Sequence, residues 1–304
     1  MKKIIDMKTL KKFVFFSLVL ISIILASACT EEIDMDELNL DTQDAALLVV
    51  EGSISDDTTH HWVKLTKTID YDEDSEYPVV VGASVSVSNG VDTFALTETE
   101  PGFYETNANA YGIPGNIHTL FISDIDTNGD GILEEYSASD QMNQLGPADS
   151  INVVYHDYLY FKGWDIQLYA TDPAENQDNY IFDIYKNDTL MSDTLIEKSI
   201  VEDELFNGNY THGIVVYVLG EDKEQENVRI GDTITLSMKG ISALYYDFLT
   251  EALEEAYGYN PMFSGPPANV MTNIEGSRKA IGFFAAYAVV HLETVYDGAV
   301  YQPK

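Results

Sequence analysis

The fold class is decided by the stretch "VSVSNGVDTFAL", residues 85–96, in which apolar and polar side chains alternate before and after an Asn-Gly pair. Alternation with a period of two is typical of a β-strand that buries one face. Asn89 and Gly90 predict a two-residue turn of type I′, because both residue types tolerate positive φ. The stretch therefore predicts an antiparallel β-hairpin.

Similar short runs extend from this hairpin in both directions and are separated by Gly, Pro, Asn and Asp. The runs are "ALLVVEGSI", "HWVKLTKTI", "VVVGASVSVSNG", "DTFALTETEPGFYET", "IHTLFIS" and "ILEEYSAS". About seven strands in roughly 100 residues is the density of a β-sandwich. We therefore predict an immunoglobulin-like β-sandwich over residues 46–146.

A Gly-Pro pair in "LGPADSI", residues 145–151, breaks this series and predicts a domain boundary. The runs that follow are rich in Tyr, Val and Ile and again predict strands. The second domain, residues 147–304, is therefore expected to be mostly β, and the whole chain to be an all-β protein.

One segment of the second domain, "ISALYYDFLTEALEEAYGYNP", has helical spacing instead. Its apolar side chains fall at i, i+4, i+5 and i+9, and the segment ends at a Gly followed by a Pro. The residues are Leu244, Phe248, Leu249, Leu253, Gly258 and Pro261. This pattern predicts one amphipathic helix near residues 241–257, whose aromatic stripe is interpreted as core packing.

The amino terminus predicts export and lipid anchoring. Five lysines precede a run of fourteen apolar residues, 13–26, which has the length of the central region of a secretory signal. Small residues then lead into Cys29, the single cysteine of the chain. This is the pattern of a bacterial lipoprotein signal over residues 1–28, with a lipid on Cys29. The alternatives are an ordinary secretory signal with an incidental cysteine, or a signal anchor.

Charge and composition exclude several function classes. The chain has 16 basic and 51 acidic residues, a formal net charge of −35, so nucleic acid is not an expected partner. Residues 29–45 are acidic and poor in aromatics, which predicts a solvated tether. Acylation of Cys29 would leave no thiol for catalysis. The sequence also lacks the common metalloprotease, serine hydrolase, phosphate-loop and dinucleotide motifs, so we expect a non-enzymatic protein.

The most acidic loop, "SDIDTNGDGILEEYS", residues 123–137, matches the calcium-loop pattern. The candidate ligands are Asp124, Asp126, Asn128, Asp130 and Glu135. A second frame starts at Asp126 and places Ser137 where the last carboxylate belongs. The flanking runs are strands, so the loop is not an EF-hand. We expect calcium in a structural role, and the alternative is a simple hairpin tip.

A second candidate is the proline-rich segment "NPMFSGPPANVMTNIEG", residues 260–276, which has the composition of a constrained loop. Such a loop could present a rigid surface to a partner, or it could serve only as a connector. The candidate contact residues are Phe263, Pro266, Pro267, Asn269 and Asn273.

The same segment and the strand runs of the first half carry a resemblance. Together with "LYATDP" and "GSRKAIGFFAAYAV", they resemble the Bacteroidota surface lipoproteins grouped as domain of unknown function 4249. The resemblance implies an immunoglobulin-like module joined to a larger β domain. It also implies association with TonB-dependent outer-membrane transporters, and it implies no established activity.

The acidic stretch after Cys29 also resembles the signal that sends such lipoproteins to the outer face of the outer membrane. We therefore expect a lipid-anchored protein that faces the cell exterior and helps a TonB-dependent barrel to capture or take up a substrate. The alternative is a calcium-stiffened surface adhesion or structural module without a transport role. A plain linker in a lipoprotein that faces the periplasm is the other interpretation of the acidic stretch.

Overall fold

The computed structural model describes residues 46–69, 76–174, 178–204, 206–257 and 270–301. Within these ranges the protein has sixteen strands and one α-helix, so the predicted all-β class with a single helix is confirmed. The signal over 1–28, Cys29 and the tether to residue 45 lie outside the described residues and stay predictions. The described helix is not long and apolar enough to cross a membrane.

The elements follow one another along the chain, with short 3-10 turns at Leu195–Glu197 and Glu224–Glu226. They are β1 (Leu48–Ser55), β2 (Trp62–Lys67), β3 (Ser84–Ser88), β4 (Thr93–Glu100), β5 (Phe103–Glu105), β6 (Ile117–Ile125), β7 (Glu134–Gln141), β8 (Ala148–Asp157), β9 (Lys162–Ala170), β10 (Asn179–Lys186), β11 (Thr189–Leu190), β12 (Ser199–Glu202), β13 (Ile214–Gly220), β14 (Thr233–Ile241), α1 (Ala243–Tyr257), β15 (Ile274–Gly276) and β16 (Ala280–Val295).

Most strands join one large mixed sheet. Its order is β11-β10-β14-β16-β1-β2-β5-β4-β3-β6-β7-β15, with β12 added to β10. Strands β13, β9 and β8 form a separate three-stranded sheet. In the first half of the chain, inward side chains of β1, β2, β3, β6 and β7 share one hydrophobic cluster. These strands thus enclose a core between two faces, as in a sandwich.

The hairpin of residues 85–96 forms as predicted, with Val85 opposite Leu96 and Ser88 opposite Thr93. Its turn differs from the prediction. Only Gly90 has positive φ, and Asn89 pairs with Asp92 through an N–H···O=C bond of 3.0 Å. The two-residue loop is therefore Gly90-Val91, which suits a turn with glycine first. Asn89 is displaced from the turn because its side-chain Oδ1 accepts the N–H groups of Val91 and Asp92.

The last strand, β16, pairs with strands from both sides of the boundary predicted at 146/147. Its first half pairs in parallel with β1, from Leu48 opposite Ala280 to Ser55 opposite Tyr287. Its second half pairs with β14 and packs on a different hydrophobic cluster. Strand β15 likewise pairs with β7 of the first half. The carboxyl-terminal segment therefore completes the amino-terminal core, and no local pattern in the sequence indicates such a distant pairing.

Helix α1 begins at Ala243, two residues after the predicted start, because β14 runs to Ile241 and Ser242 then caps the helix. The Oγ of Ser242 accepts the N–H of Tyr245 at 3.0 Å. The face that packs differs from the prediction at its first position, where Tyr245 rather than Leu244 packs against the core cluster. Leu244 is 40% exposed, whereas Leu249 is buried and Phe248 packs against it.

Candidate functional site

A cavity of about 500 Å³ lies between helix α1 and the strands β1, β10, β14 and β16. Aromatic rings supply much of its lining, and two lysines supply polar groups. The side chains that define it are Trp62, Leu195, Lys198, Lys239, Tyr245, Phe248, Phe283 and Tyr287, with Glu51 and Asp193 also contributing. Apolar walls with a few polar groups are typical of small-molecule sites.

The aromatic wall is built by contacts between the helix and β16. The rings of Tyr245 and Phe248 lie 4.9 and 5.0 Å from the ring of Phe283. Such pairs contribute about 0.5–1.5 kcal/mol beyond the area they bury. The predicted helical aromatic stripe therefore serves packing and also lines a cavity, which the sequence analysis did not anticipate.

Gly282 allows β16 to approach β1 at the cavity wall. Its φ is +99°, and an added Cβ would lie 2.0 Å from the carbonyl oxygen of Val50. No larger residue fits this position without displacing one of the two strands. The narrow spacing helps to place Phe283 and Tyr287 along the cavity.

The polar end of the cavity is organised by Asp183, which is buried in β10. Its two carboxylate oxygens accept hydrogen bonds from the ammonium groups of Lys198 at 2.7 Å and Lys239 at 2.5 Å. The Nζ of Lys239 also lies 5.0 Å from the ring centre of Tyr287. Burial alone would raise the pKa of Asp183, but the two lysines outweigh burial and hold this pKa below its usual value.

This cluster was not predicted from the sequence, because its members come from separate strands and a loop. A weak signal was present. Asp183 interrupts the apolar run "NYIFDIYK", and Lys239 lies in the equally apolar "TITLSMKGI". A charged residue in a strand that is buried on both faces needs a partner, because an unpaired buried charge is costly. The sequence could have flagged both residues, but it could not have paired them.

The acidic loop connects β6 and β7 and is organised by its own backbone. The Oδ1 of Asp126 accepts the N–H groups of Gly129 at 2.7 Å and Asp130 at 3.2 Å, and its Oδ2 accepts that of Gly131 at 2.8 Å. The Oδ1 of Asp130 accepts the N–H of Ile132. Asp126 is therefore the residue around which the loop folds.

Among the other predicted ligands, Asn128 is bonded to Asp130 within the loop, since its Nδ2 donates to the Oδ2 of Asp130 at 2.8 Å. Asp124 has φ of +62°, and its carboxylate accepts a bond from the neighbouring Ser123 hydroxyl. Glu135 is exposed, and no three acidic side chains of the loop bring oxygens within 4.8 Å of one another. The hairpin geometry thus places Asp126, at the start of the second frame, at the centre of the loop. Calcium binding by this loop stays a prediction.

Glu134, which the sequence analysis did not nominate, fastens the base of the loop. Its buried carboxylate accepts the N–H and hydroxyl of Thr127 at 3.0 and 2.5 Å and the hydroxyl of Tyr136 at 3.1 Å. Arg278 lies 3.5 Å from the second oxygen. The alternation of "ILEEYS" places Glu134 on the same strand face as Tyr136, and this was the available signal.

Four of the five residues proposed for the proline-rich loop, Phe263, Pro266, Pro267 and Asn269, lie outside the described residues. Asn273 is described, and its amide joins strands within the protein. Its Nδ2 donates to the carbonyl oxygens of Phe284 at 2.8 Å and Ser139 at 3.2 Å. Its Oδ1 accepts the N–H of Phe284 at 3.0 Å. The amide of Asn273 is therefore used for internal hydrogen bonds, and partner binding by the segment stays a prediction.

The model of the family described as Domain of unknown function (DUF4249) matches residues 31–293. The chain belongs to this family. The matched range of this DUF4249 protein includes the cavity, the acidic loop and the proline-rich segment. No curated protein matches the chain. The family description names no activity.

Proposed function

We propose that this DUF4249 protein is a non-enzymatic lipoprotein, anchored through Cys29 on the outer face of the outer membrane, that assists a TonB-dependent transporter in capturing or taking up a substrate. The observation that carries the proposal is the aromatic cavity between α1 and the large sheet. A preformed cavity with apolar walls and a few fixed polar groups is suited to holding a small molecule. The rigid Asp183, Lys198 and Lys239 cluster would orient its polar part.

The amino-terminal sequence supports the location. Acyl chains on Cys29 would each contribute about 0.8 kcal/mol per buried methylene, so several chains hold a protein at the membrane permanently. The acidic tether of residues 29–45 would keep the folded part in solvent, where it can reach a barrel. The family resemblance supports the transporter as the partner.

One observation favours the alternative of a calcium-stiffened adhesion or structural module. Asp126 already gathers three backbone N–H groups around one carboxylate in a loop with the calcium-type spacing. A structural cation bound there by oxygen ligands would stiffen the hairpin tip without a transport role.

Co-purification separates the two functions. The tagged full chain is purified from detergent-solubilised outer membranes of its own host, and bound proteins and small molecules are identified by mass spectrometry. We expect a TonB-dependent barrel with the wild-type chain, and a small molecule that is lost with Phe248→Ala in the cavity. Phe94→Ala, whose ring packs on Tyr111 and does not line the cavity, is the matched control.

A Cys29→Ser variant cannot be acylated on sulfur, so we expect it to be absent from the outer-membrane fraction. Repeated purifications of the wild-type chain that return no barrel would overturn the transport proposal. If a barrel is recovered without any small molecule, the transporter partner is supported and the proposal that the cavity captures the substrate is contradicted.

A further inference from the structure

Three aspartates from separate segments meet inside the second half of the protein. Asp172 follows β9, Asp178 precedes β10, and Asp203 follows β12. Their exposed fractions are 5%, 6% and 0%. Ligand oxygens of all three lie within 4.8 Å of one another, and no other such group of acidic or histidine side chains occurs in the described part of the chain.

The hydrogen bonds around these carboxylates leave one fully buried oxygen without a partner among the described residues. Asp172 accepts the hydroxyl of Tyr180 at 2.5 Å on Oδ1 and the N–H of Gly208 at 3.0 Å on Oδ2. The Oδ2 of Asp203 accepts the N–H of Asp178 at 2.9 Å. The Oδ1 of Asp203 is buried and has no hydrogen-bond partner among the described residues. Such an oxygen loses its hydration without replacement, at a cost of about 1–3 kcal/mol or more for a charged group.

The described lysines, arginines and histidines do not neutralise the cluster. None of the salt bridges formed by described residues involves Asp172, Asp178 or Asp203. Three carboxylates in one buried place repel one another, and this repulsion is relieved either by protonation or by a compensating charge. A bound cation supplies that charge and also a partner for the free oxygen of Asp203.

We infer that Asp172, Asp178 and Asp203 form a binding site for a hard divalent cation, with Ca²⁺ as the preferred ion. The donors are all carboxylate oxygens, which suit Ca²⁺, Mg²⁺ or Mn²⁺ rather than softer metals. Ca²⁺ accepts several carboxylates in irregular geometry, whereas Mg²⁺ keeps most of its water and binds through one or two. Asp178 also lines a cleft of about 600 Å³ with Pro173 and Ser242, and this cleft would offer the ion an entry route and room for water ligands.

A cation at this site would join the three connections that carry Asp172, Asp178 and Asp203, which strand pairing alone does not link. Strands β10 and β12 pair antiparallel, with Asn179 opposite Glu202, so Asp178 and Asp203 leave the same end of this pair. Asp172 comes from the other sheet, after β9. A cation at the cluster would therefore link the three-stranded sheet to the large sheet.

Calorimetry on the detergent-purified full chain, stripped with a chelator, tests the inference with Ca²⁺, Mg²⁺ and Mn²⁺ added separately as chloride salts. We expect a Ca²⁺ site that Asp203→Asn or Asp172→Asn weakens on the order of 100-fold. Asp126→Asn in the acidic loop is the matched control, because it removes the same charge and should leave this site unchanged. Circular dichroism confirms that each variant is folded.

Terbium luminescence gives a second measurement, in which the variant retains all three carboxylates of the cluster. Tyr180 is bonded to Asp172, so excitation of its ring should sensitise Tb³⁺ bound at the cluster. We expect Tyr180→Phe to remove most of the Tb³⁺ signal, whereas Tyr136→Phe, next to the acidic loop, should retain it. The inference is overturned if no cation binds, or if Asp126→Asn and Tyr136→Phe abolish the signals while Asp203→Asn and Tyr180→Phe leave them intact.

Discussion

Strand β10 contains one buried acidic group and is preceded by another, and the surroundings of the two shift their pKa values in opposite directions. Within the strand, Asp183 has Lys198 and Lys239 on its two oxygens, and its pKa lies below the usual value. Just before the strand, burial together with the negative charges of Asp172 and Asp203 raises the pKa of Asp178 to about 6. The difference teaches that the pKa of a buried carboxylate depends on the charges and hydrogen-bond donors that the fold places beside it.

Asp126, in the acidic loop at the surface, shows a third way in which the negative charge of a carboxylate is compensated. The acidic loop is the most conspicuous acidic stretch in the sequence, yet Asp126 satisfies its oxygens with backbone N–H groups of the same loop. Local density of carboxylates therefore does not identify the place where negative charge is least compensated. Negative charge is least compensated in the buried cluster of Asp172, Asp178 and Asp203, whose members are dispersed along the chain.

The largest expected effect is at the lysine-paired group. Asp183→Asn would leave Lys198 and Lys239 facing each other without a counter-charge, and we expect a loss of about 3 kcal/mol in the free energy of unfolding. Urea unfolding at pH 7 measures it. Asp188→Asn, exposed just beyond the same strand, is the control and should change little.

The double variant Asp183→Asn with Lys239→Met removes one of the facing ammonium groups and should recover part of the loss. An Asp183→Asn protein that unfolds at the wild-type urea concentration would show that the lysine pairing has no energetic role. The contrast across β10 would then be a matter of geometry alone.

A smaller, pH-dependent effect is expected at Asp140, a buried carboxylate that has neither lysines nor neighbouring acids as its main partners. Its oxygens accept the N–H groups of Ala286 at 2.8 Å and Gln141 at 3.0 Å, and burial raises its pKa to about 6. The folded state therefore holds this proton more tightly than the unfolded chain. Its contribution to stability is full below about pH 4 and is lost as the pH rises to about 6.

Asp140→Asn removes this titration. The stability of the variant relative to wild type should therefore increase by about 1–3 kcal/mol between pH 4 and pH 7, since one pKa unit corresponds to about 1.4 kcal/mol. Thermal unfolding at both pH values measures the difference. Asp188→Asn should show no such trend, and parallel curves for Asp140→Asn and wild type would contradict the expectation.

The smallest effect is expected in the acidic loop, where two matched changes can be compared. Asp126→Asn places an NH₂ group against the N–H of Gly131, and we expect a loss of about 1 kcal/mol, as for a lost capping acceptor. Asp124→Asn removes the same charge, and Asn also tolerates the positive φ of this position, so stability should stay within about 0.5 kcal/mol. Equal effects of the two changes on the melting temperature would contradict the central role of Asp126.

Several elements could be predicted from the sequence because their signals are local. Alternation and the Asn-Gly pair were sufficient for the β3–β4 hairpin, although the turn itself moved by one residue when the Asn89 side chain bonded to the backbone. Helical spacing located the start of α1 to within two residues. The calcium-type spacing identified a real loop, but it did not indicate which aspartate organises it.

The functional groups were harder to predict because their members are far apart in sequence. The cavity combines β1, β10, β14, β16 and α1, and the cluster of Asp172, Asp178 and Asp203 combines the ends of three strands. In each case a single residue has an ordinary local context, and only the arrangement gives it a chemical role.

The sequence by itself determined the all-β class, the single helix, the strong negative charge and the expectation of a lipid-anchored amino terminus. These depend on composition and on periods of two or 3.6 residues, which act between near neighbours. Only the tertiary structure decided that β16 joins β1 from the opposite end of the chain, and which carboxylates receive lysines, backbone N–H groups or no described partner. Such pairings depend on long-range packing, for which the chain carries no local signal.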